Sequence, residues 1–141
     1  RILLDVPCSS ERHVFADEKY LDMWSPSRVK SLAIEQWALL SSAYRLLRND
    51  GFLLYSTCAL NPKENDEVIA RLLKKFDSAE IVFKDSIPEL NSDIVKFCKI
   101  EKIPQAERTE NGFHILPDVQ AGMGPIWFTL VHKKIVNNED M

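Results

Sequence analysis

The sequence contains no run of about 18 apolar residues, so no segment reads as a membrane-spanning helix. It has neither a CxxC pair nor an HxxxH spacing, and without them neither a zinc site nor a dithiol turn is expected. The cysteines number three, an odd count without paired spacing, which argues against a disulfide framework and for a reducing compartment. Only four glycines occur, none in a G-x-G-x-x-G setting, so the turn that cradles a nucleotide phosphate is not present. An excess of positive charge is also missing: 18 Lys and Arg stand against 21 Asp and Glu, which is not the footprint of a nucleic-acid binder. No internal repeat, low-complexity segment or domain boundary is visible. Arg1 leads directly into an apolar stretch with no charged-then-apolar leader, so the chain is expected to be the carboxyl-terminal portion of a longer one.

What is present can bury one core, since 45% of the 141 residues are hydrophobic. Residues 1–5 read as a short buried strand, which Pro7 ends by removing a backbone donor. A polar loop is expected over residues 9–27, closed by Ser25-Pro26 or Ser27 at the start of a helix. In that helix, over residues 29–47, Val29, Leu32, Ala33, Gln36, Leu40, Ala43 and Leu47 recur at helical spacing, with Trp37 and Tyr44 on a neighbouring flank. Asn49-Asp50-Gly51 is a strong stop, and residues 52–57 follow as a nearly continuous apolar strand. Asn61, Pro62 and Glu64 then supply an N-cap, a first-turn proline and a capping-box acid for a second helix striped by Val68, Ile69, Leu72, Leu73 and Phe76.

Strands alternating with helices long enough to cross over imply an α/β fold with a parallel sheet. Residues 79–84 are expected to add a strand and residues 126–132 a last one, with a short apolar run at 113–117 between them. Residues 85–111, polar and broken by Pro88 and Pro104, are expected to hold short irregular elements, and the polar tail 137–141 to fray. His13, His114 and His132 have no carboxylate or cysteine at ligand spacing and read as solvent-facing or structural. Cys98 reads as an apolar filler, Trp24, Trp37 and Trp127 as packing residues, and Lys74-Lys75 and Lys133-Lys134 as solvated ends of elements.

Two stretches carry chemistry. Asp5-Val6-Pro7-Cys8-Ser9-Ser10 and Tyr55-Ser56-Thr57-Cys58-Ala59-Leu60 are apolar runs that each stop at a polar, cysteine-bearing turn. This is how a buried strand delivers side chains to the carboxyl edge of an α/β sheet, where ligands bind. Either cysteine alone is as well explained by packing at a strand end. Together, one strand-helix-strand unit apart, they would face one crevice.

The first stretch and the extended second, Tyr55 through Asn65, resemble the two signature motifs of the Nop/Sun (RsmB/RsmF-like) RNA cytosine-5 methyltransferases. Val6 and Ser10 replace the family's commoner Ala and Gly, leaving Asp5, Pro7 and Cys8 intact. The resemblance implies the carboxyl-terminal half of a Rossmann-like class I methyltransferase fold over residues 1–135, mostly parallel with a final antiparallel strand. It implies S-adenosylmethionine as methyl donor, with Asp5 and Pro7 near it, and an RNA acceptor, ribosomal or transfer. It also implies Cys58 as nucleophile, Cys8 as the residue that assists release, and Asp5 as a contact to the target base. Neither metal nor membrane is implied, and specificity would come from an appended domain or partner protein. The compartment would be cytoplasmic in a bacterium and mitochondrial in a eukaryote.

The chemistry agrees, because carbon 5 of cytosine is a poor nucleophile until a thiolate has added to carbon 6. The fragment alone is expected to be inactive, since the donor's glycine turn would lie before Arg1. A non-catalytic RNA-binding or assembly subunit of the same fold, and a thiol redox protein using Cys8 and Cys58, remain as other readings.

Overall fold

The computed structural model describes residues 1–89, 92–99, 104–118 and 123–136, and the tail at 137–141 lies outside them. Strand β1 (Ile2–Asp5) pairs in parallel with β2 (Gly51–Thr57), and between them runs the longest helix, α2 (Pro26–Leu46). After β2 come α3 (Asp66–Lys75) and the short strand β3 (Ala79–Ile81). The chain then forms α4 (Ser92–Phe97), β4 (Glu107–Arg108), β5 (Phe113–Ile115) and the closing strand β6 (Ile126–Lys133).

The sheet order is β1-β2-β6-β5-β4, and β3 pairs with β6 as well. Strand β6 lies antiparallel against the whole of β2, from Gly51 opposite Lys133 to Thr57 opposite Trp127. Its other edge is shared end to end, with β3 along residues 131–133 and β5 along residues 126–128. Among the described residues the parallel pairing is therefore confined to β1 and β2, less than the helix-strand alternation implied. The described strands after α3 are short, and they use the long last strand as their antiparallel template.

Other expectations are refined in the same way. Ser25 caps α2, accepting from the Arg28 amide at 3.2 Å, with Pro26 in the first turn. The second helix opens at Asp66 rather than beside Asn61: residues 62–65 form a turn, and Asn61 Oδ1 caps that turn by accepting from the Glu64 amide at 3.1 Å. The loop expected over residues 9–27 holds a one-and-a-half-turn helix, α1 (Glu11–Ala16), and a 3-10 segment (Glu18–Met23). No apolar periodicity announces either of them. Cys98 is exposed rather than a filler, since it follows the short α4 outside the core.

The core lies between the sheet and α2 and α3, where Leu40, Leu53, Tyr55, Ile69, Leu72, Trp127 and Val131 are essentially inaccessible. Each buried aliphatic side chain contributes roughly 1.5–3 kcal/mol. Gly112 is required by close approach: a Cβ there would stand 2.4 Å from the Trp127 ring and 2.6 Å from the Phe128 carbonyl. Lys133, which read as a solvated end, instead donates to the Leu47 carbonyl at 2.7 Å and the Tyr44 carbonyl at 3.3 Å. It thereby satisfies the open carbonyls at the end of α2 from another element.

At the sheet end where β2 begins and β6 stops, His132 sits between two carboxylates. Its Nδ1 is 2.8 Å from Glu80 Oε1 and its Nε2 2.8 Å from Asp50 Oδ1. The hydrogen bond to Glu80, and then that to Asp50, raise the imidazole above its ordinary value, while His132 in turn lowers Glu80. A raised folded-state value means that stabilisation is fully present below the unfolded imidazole range, about pH 6.5, and is lost as pH rises through the folded value. The stability gap between wild type and His132→Gln is therefore expected to be wide near pH 6 and to close in alkaline solution. Urea unfolding across that range checks this, and a gap that widens with pH would contradict it.

Candidate active site

Because β1 and β2 are parallel and in register, with Asp5 opposite Ser56, their carboxyl ends coincide. The ladder runs one step further, from the Val6 amide to the Ser56 carbonyl at 3.1 Å, before Pro7 ends it. Cys8 and Cys58 leave the two strand ends toward each other. Their Cα atoms are 6.4 Å apart and their sulfurs face each other in contact. Two cysteines 50 residues apart in sequence meet because the strands carrying them are neighbours. Together with Asp5 and Pro7 they line one cavity of about 450 Å3, which Arg12 and His13 of α1 also line. His13 stays solvent-exposed there, in keeping with its sequence reading, with its ring against Tyr20.

Asp5 Oδ1 accepts from the Ser56 hydroxyl at 2.9 Å, so the strand partner holds the carboxyl group at the cavity. Ser10 adopts φ 60°, ψ 37°, the left-handed conformation in which glycine is at ease. This explains physically why glycine is the commoner residue there. The serine is tolerated at a cost of about 1–3 kcal/mol, and its hydroxyl donates to the Cys8 carbonyl at 3.3 Å.

Three consecutive polar residues, Glu64, Asn65 and Asp66, are buried at the start of α3, and each ties a different segment to the site. Glu64 Oε1 accepts from the Ser9 amide at 2.8 Å and from Gln36 Nε2 at 2.9 Å, and its other oxygen accepts from Asn61 Nδ2. Gln36 Nε2 also donates to the Pro7 carbonyl at 2.8 Å. Asn65 Oδ1 accepts from the Thr57 hydroxyl at 2.6 Å, and its amide nitrogen donates to the Ala59 carbonyl at 2.9 Å, bracketing Cys58. Asp66 Oδ1 accepts from the Thr109 hydroxyl at 2.8 Å and the Asn111 amide at 2.7 Å, fixing the loop before β5.

Tyr55, one strand position below Ser56, donates its hydroxyl to the Glu64 carbonyl at 2.9 Å. Burial first, and the Glu64 charge second, push this phenol well above its ordinary range, so it remains a neutral donor. From the other side Glu11 of α1 accepts from the Leu60 amide, from the Asn61 amide at 3.2 Å and from Trp24 Nε1 at 3.2 Å.

Asp5, Pro7, Cys8 and Cys58, the residues singled out from the sequence, line one cavity. Sequence reasoning did not find Glu11, Arg12 or Gln36 as parts of the site. Gln36 carried a signal, a polar residue within an apolar stripe. Glu11 and Arg12 carried none, because α1 has no amphipathic pattern.

A parallel strand pair delivering two cysteine turns to one cavity, with an antiparallel closing strand beside it, forms one edge of an open Rossmann-like α/β sheet. A solved neighbour with this fold is NSun6 from Pyrococcus horikoshii, crystallised with SFG, which aligns with TM-score 0.64 over 95% of this chain and 30% of that one at 19% identity. The chain belongs to the 16S rRNA methyltransferase RsmB/F family, whose model matches residues 1–116. It is 38% identical over 127 residues to the Ribosomal RNA small subunit methyltransferase F of Psychromonas ingrahamii, which covers 87% of this chain and 23% of that protein. It is 45% identical over 78 residues to the protein of the same name from Erwinia tasmaniensis, covering 55% of this chain and 16% of that one. The chain thus spans about a fifth of the length of the curated relatives it matches.

Proposed function

We propose that this chain carries the reacting thiols of an S-adenosylmethionine-dependent RNA cytosine-5 methyltransferase acting on ribosomal RNA. The observation that carries the reading is the meeting of Cys8 and Cys58 at adjacent strand ends beside Asp5 in one cavity. Family membership and the relatives' names support methylation and favour ribosomal over transfer RNA as acceptor. The resident groups fit the methyl-bearing end of a sulfonium donor: Asp5 keeps one carboxyl oxygen without a partner among the described residues, and Pro7 adds an apolar wall. When bound, S-adenosylmethionine supplies the electrophilic methyl group.

The chain's own residues do the rest. Cys58, as thiolate, forms a bond to carbon 6 of the cytosine, and the electrons of the carbon 5–carbon 6 double bond make carbon 5 the nucleophile. Asp5 holds the base edge and supports charge at ring nitrogen 3. After carbon 5 has gained its methyl group it loses its proton to a base. The carbon 6–sulfur bond then breaks with the assistance of Cys8. Both sulfurs act as thiols, so the reaction is run under reducing conditions. The base has to leave its stack to enter the cavity, at a cost of a few kcal/mol that is lowest for single-stranded RNA.

The test uses the chain in its full-length context, with reductant, S-adenosylmethionine and small-subunit ribosomal RNA. New bisulfite-resistant cytosines are expected in that RNA and not in transfer RNA. Resistance appearing only in transfer RNA would overturn the acceptor, and methylation at another ring atom would overturn the chemistry. A wild type that binds RNA without methylating it would make this an assembly subunit of the same fold.

A further inference from the structure

The cavity has a side that the thiol chemistry does not use. Helix α1 begins three residues after Cys8 and presents Arg12 and His13 to the same space as both sulfurs. The helix is not loosely placed, because Glu11 accepts from the Leu60 and Asn61 amides just beyond Cys58. Arg12 is therefore held relative to both cysteine turns, through the chain on one side and through Glu11 on the other.

His13 has its ring against Tyr20, with centroids 5.3 Å apart. Arg12 is exposed and makes no ion pair or hydrogen bond among the described residues. Arg71, by contrast, lies over the Trp37 ring at 4.4 Å, and Arg108 holds the Lys84 carbonyl at 2.7 Å. In a chain with a formal charge of −3, an unpaired guanidinium on the wall of a thiol-bearing cavity calls for an anionic partner. Its planar fork matches the two free oxygens of a phosphodiester. At about 450 Å3 the cavity falls within the range of small-ligand sites, and a nucleotide whose base reaches Cys58 brings its phosphate to the rim.

We propose that Arg12 binds a phosphate of the target nucleotide and so positions the base over Cys58. The inference rests on the RNA reading of the site, and its test is independent of turnover. Binding of a fluorescent single-stranded RNA is measured by anisotropy across a salt series, in full-length context, for wild type, Arg12→Ala and Arg12→Lys, with methylation assayed in parallel.

Arg12→Ala is expected to weaken binding about tenfold and to reduce the log–log salt slope by about 0.7, the share of one single-strand phosphate. In turnover the loss falls on KM more than on kcat. Arg12→Lys keeps the charge but not the fork, so it recovers the slope and only part of the affinity. An Arg12→Ala protein with wild-type affinity and slope would overturn the proposal and leave Arg12 a solvated side chain. If the slope falls as expected but wild type does not methylate, the phosphate contact stands and the cytosine chemistry fails.

Discussion

Cys8→Ala is expected to leave the RNA covalently attached to the protein, whereas Cys58→Ala forms no adduct and loses methyl transfer by a factor of about 10,000 or more. The two residues sit in one cavity on neighbouring strand ends, so geometry alone gives them equal access to a bound base. Their roles separate by chemistry. A nucleophile is needed at the first bond-making step, and without it carbon 5 never becomes reactive. A residue that assists release is needed only at the last step, and without it the reaction stalls with the carbon 6–sulfur bond intact. A denaturing gel with labelled RNA reads both outcomes. An adduct formed by Cys58→Ala and absent from Cys8→Ala would exchange the two roles.

Glu64→Ala is expected to destabilise the protein by about 3–5 kcal/mol and to slow adduct formation by about 100-fold. The side chain is fully buried and receives three donors: the Ser9 amide, Gln36 Nε2 and Asn61 Nδ2. Removing the carboxyl group strands those donors in the interior, where an unsatisfied group costs about 1–3 kcal/mol, and leaves a void as well. The same donors belong to the Cys8 turn, to α2 and to the segment after Cys58, so loosening Glu64 releases both sulfur-bearing loops at once.

Glu64→Gln preserves the volume but offers one acceptor oxygen where two are used. It is expected to cost less stability and still to slow the reaction. Urea denaturation together with the rate of adduct formation checks both. If Glu64→Ala slowed the reaction without a stability loss, Glu64 would be acting on the reaction directly rather than as a positioning residue.

The legible parts of the chain are those whose signal is local. Helix α2 could be read from its periodicity, its Ser25 cap and the Asn49-Asp50-Gly51 stop. Strand β2 could be read from its apolar run, and β6 from its position after Gly124-Pro125. Helix α1 could not be read, because what holds it is Glu11 bonding amides 49 and 50 residues away rather than an apolar face. The start of α3 was misplaced for the same reason. Asn61 and Glu64 do bond each other as a capping box does, but they close the turn at residues 62–65 ahead of the helix, and their side chains also bond Glu11, Ser9 and Gln36. His132, with no carboxylate at ligand spacing, acquired two from strands and turns that are remote in sequence.

The sequence by itself determined the chemistry available here: an Asp-x-Pro-Cys turn and a Thr-Cys turn, each ending an apolar strand. Only the tertiary structure decided that the two cysteines share one cavity, that Arg12 and His13 face it, and that Glu64 ties both loops together. Hydrophobic periodicity acts between neighbours a few residues apart and is written in the chain itself. Strand register and buried hydrogen bonds join residues about 50 positions apart, and their partners exist only once the sheet has formed.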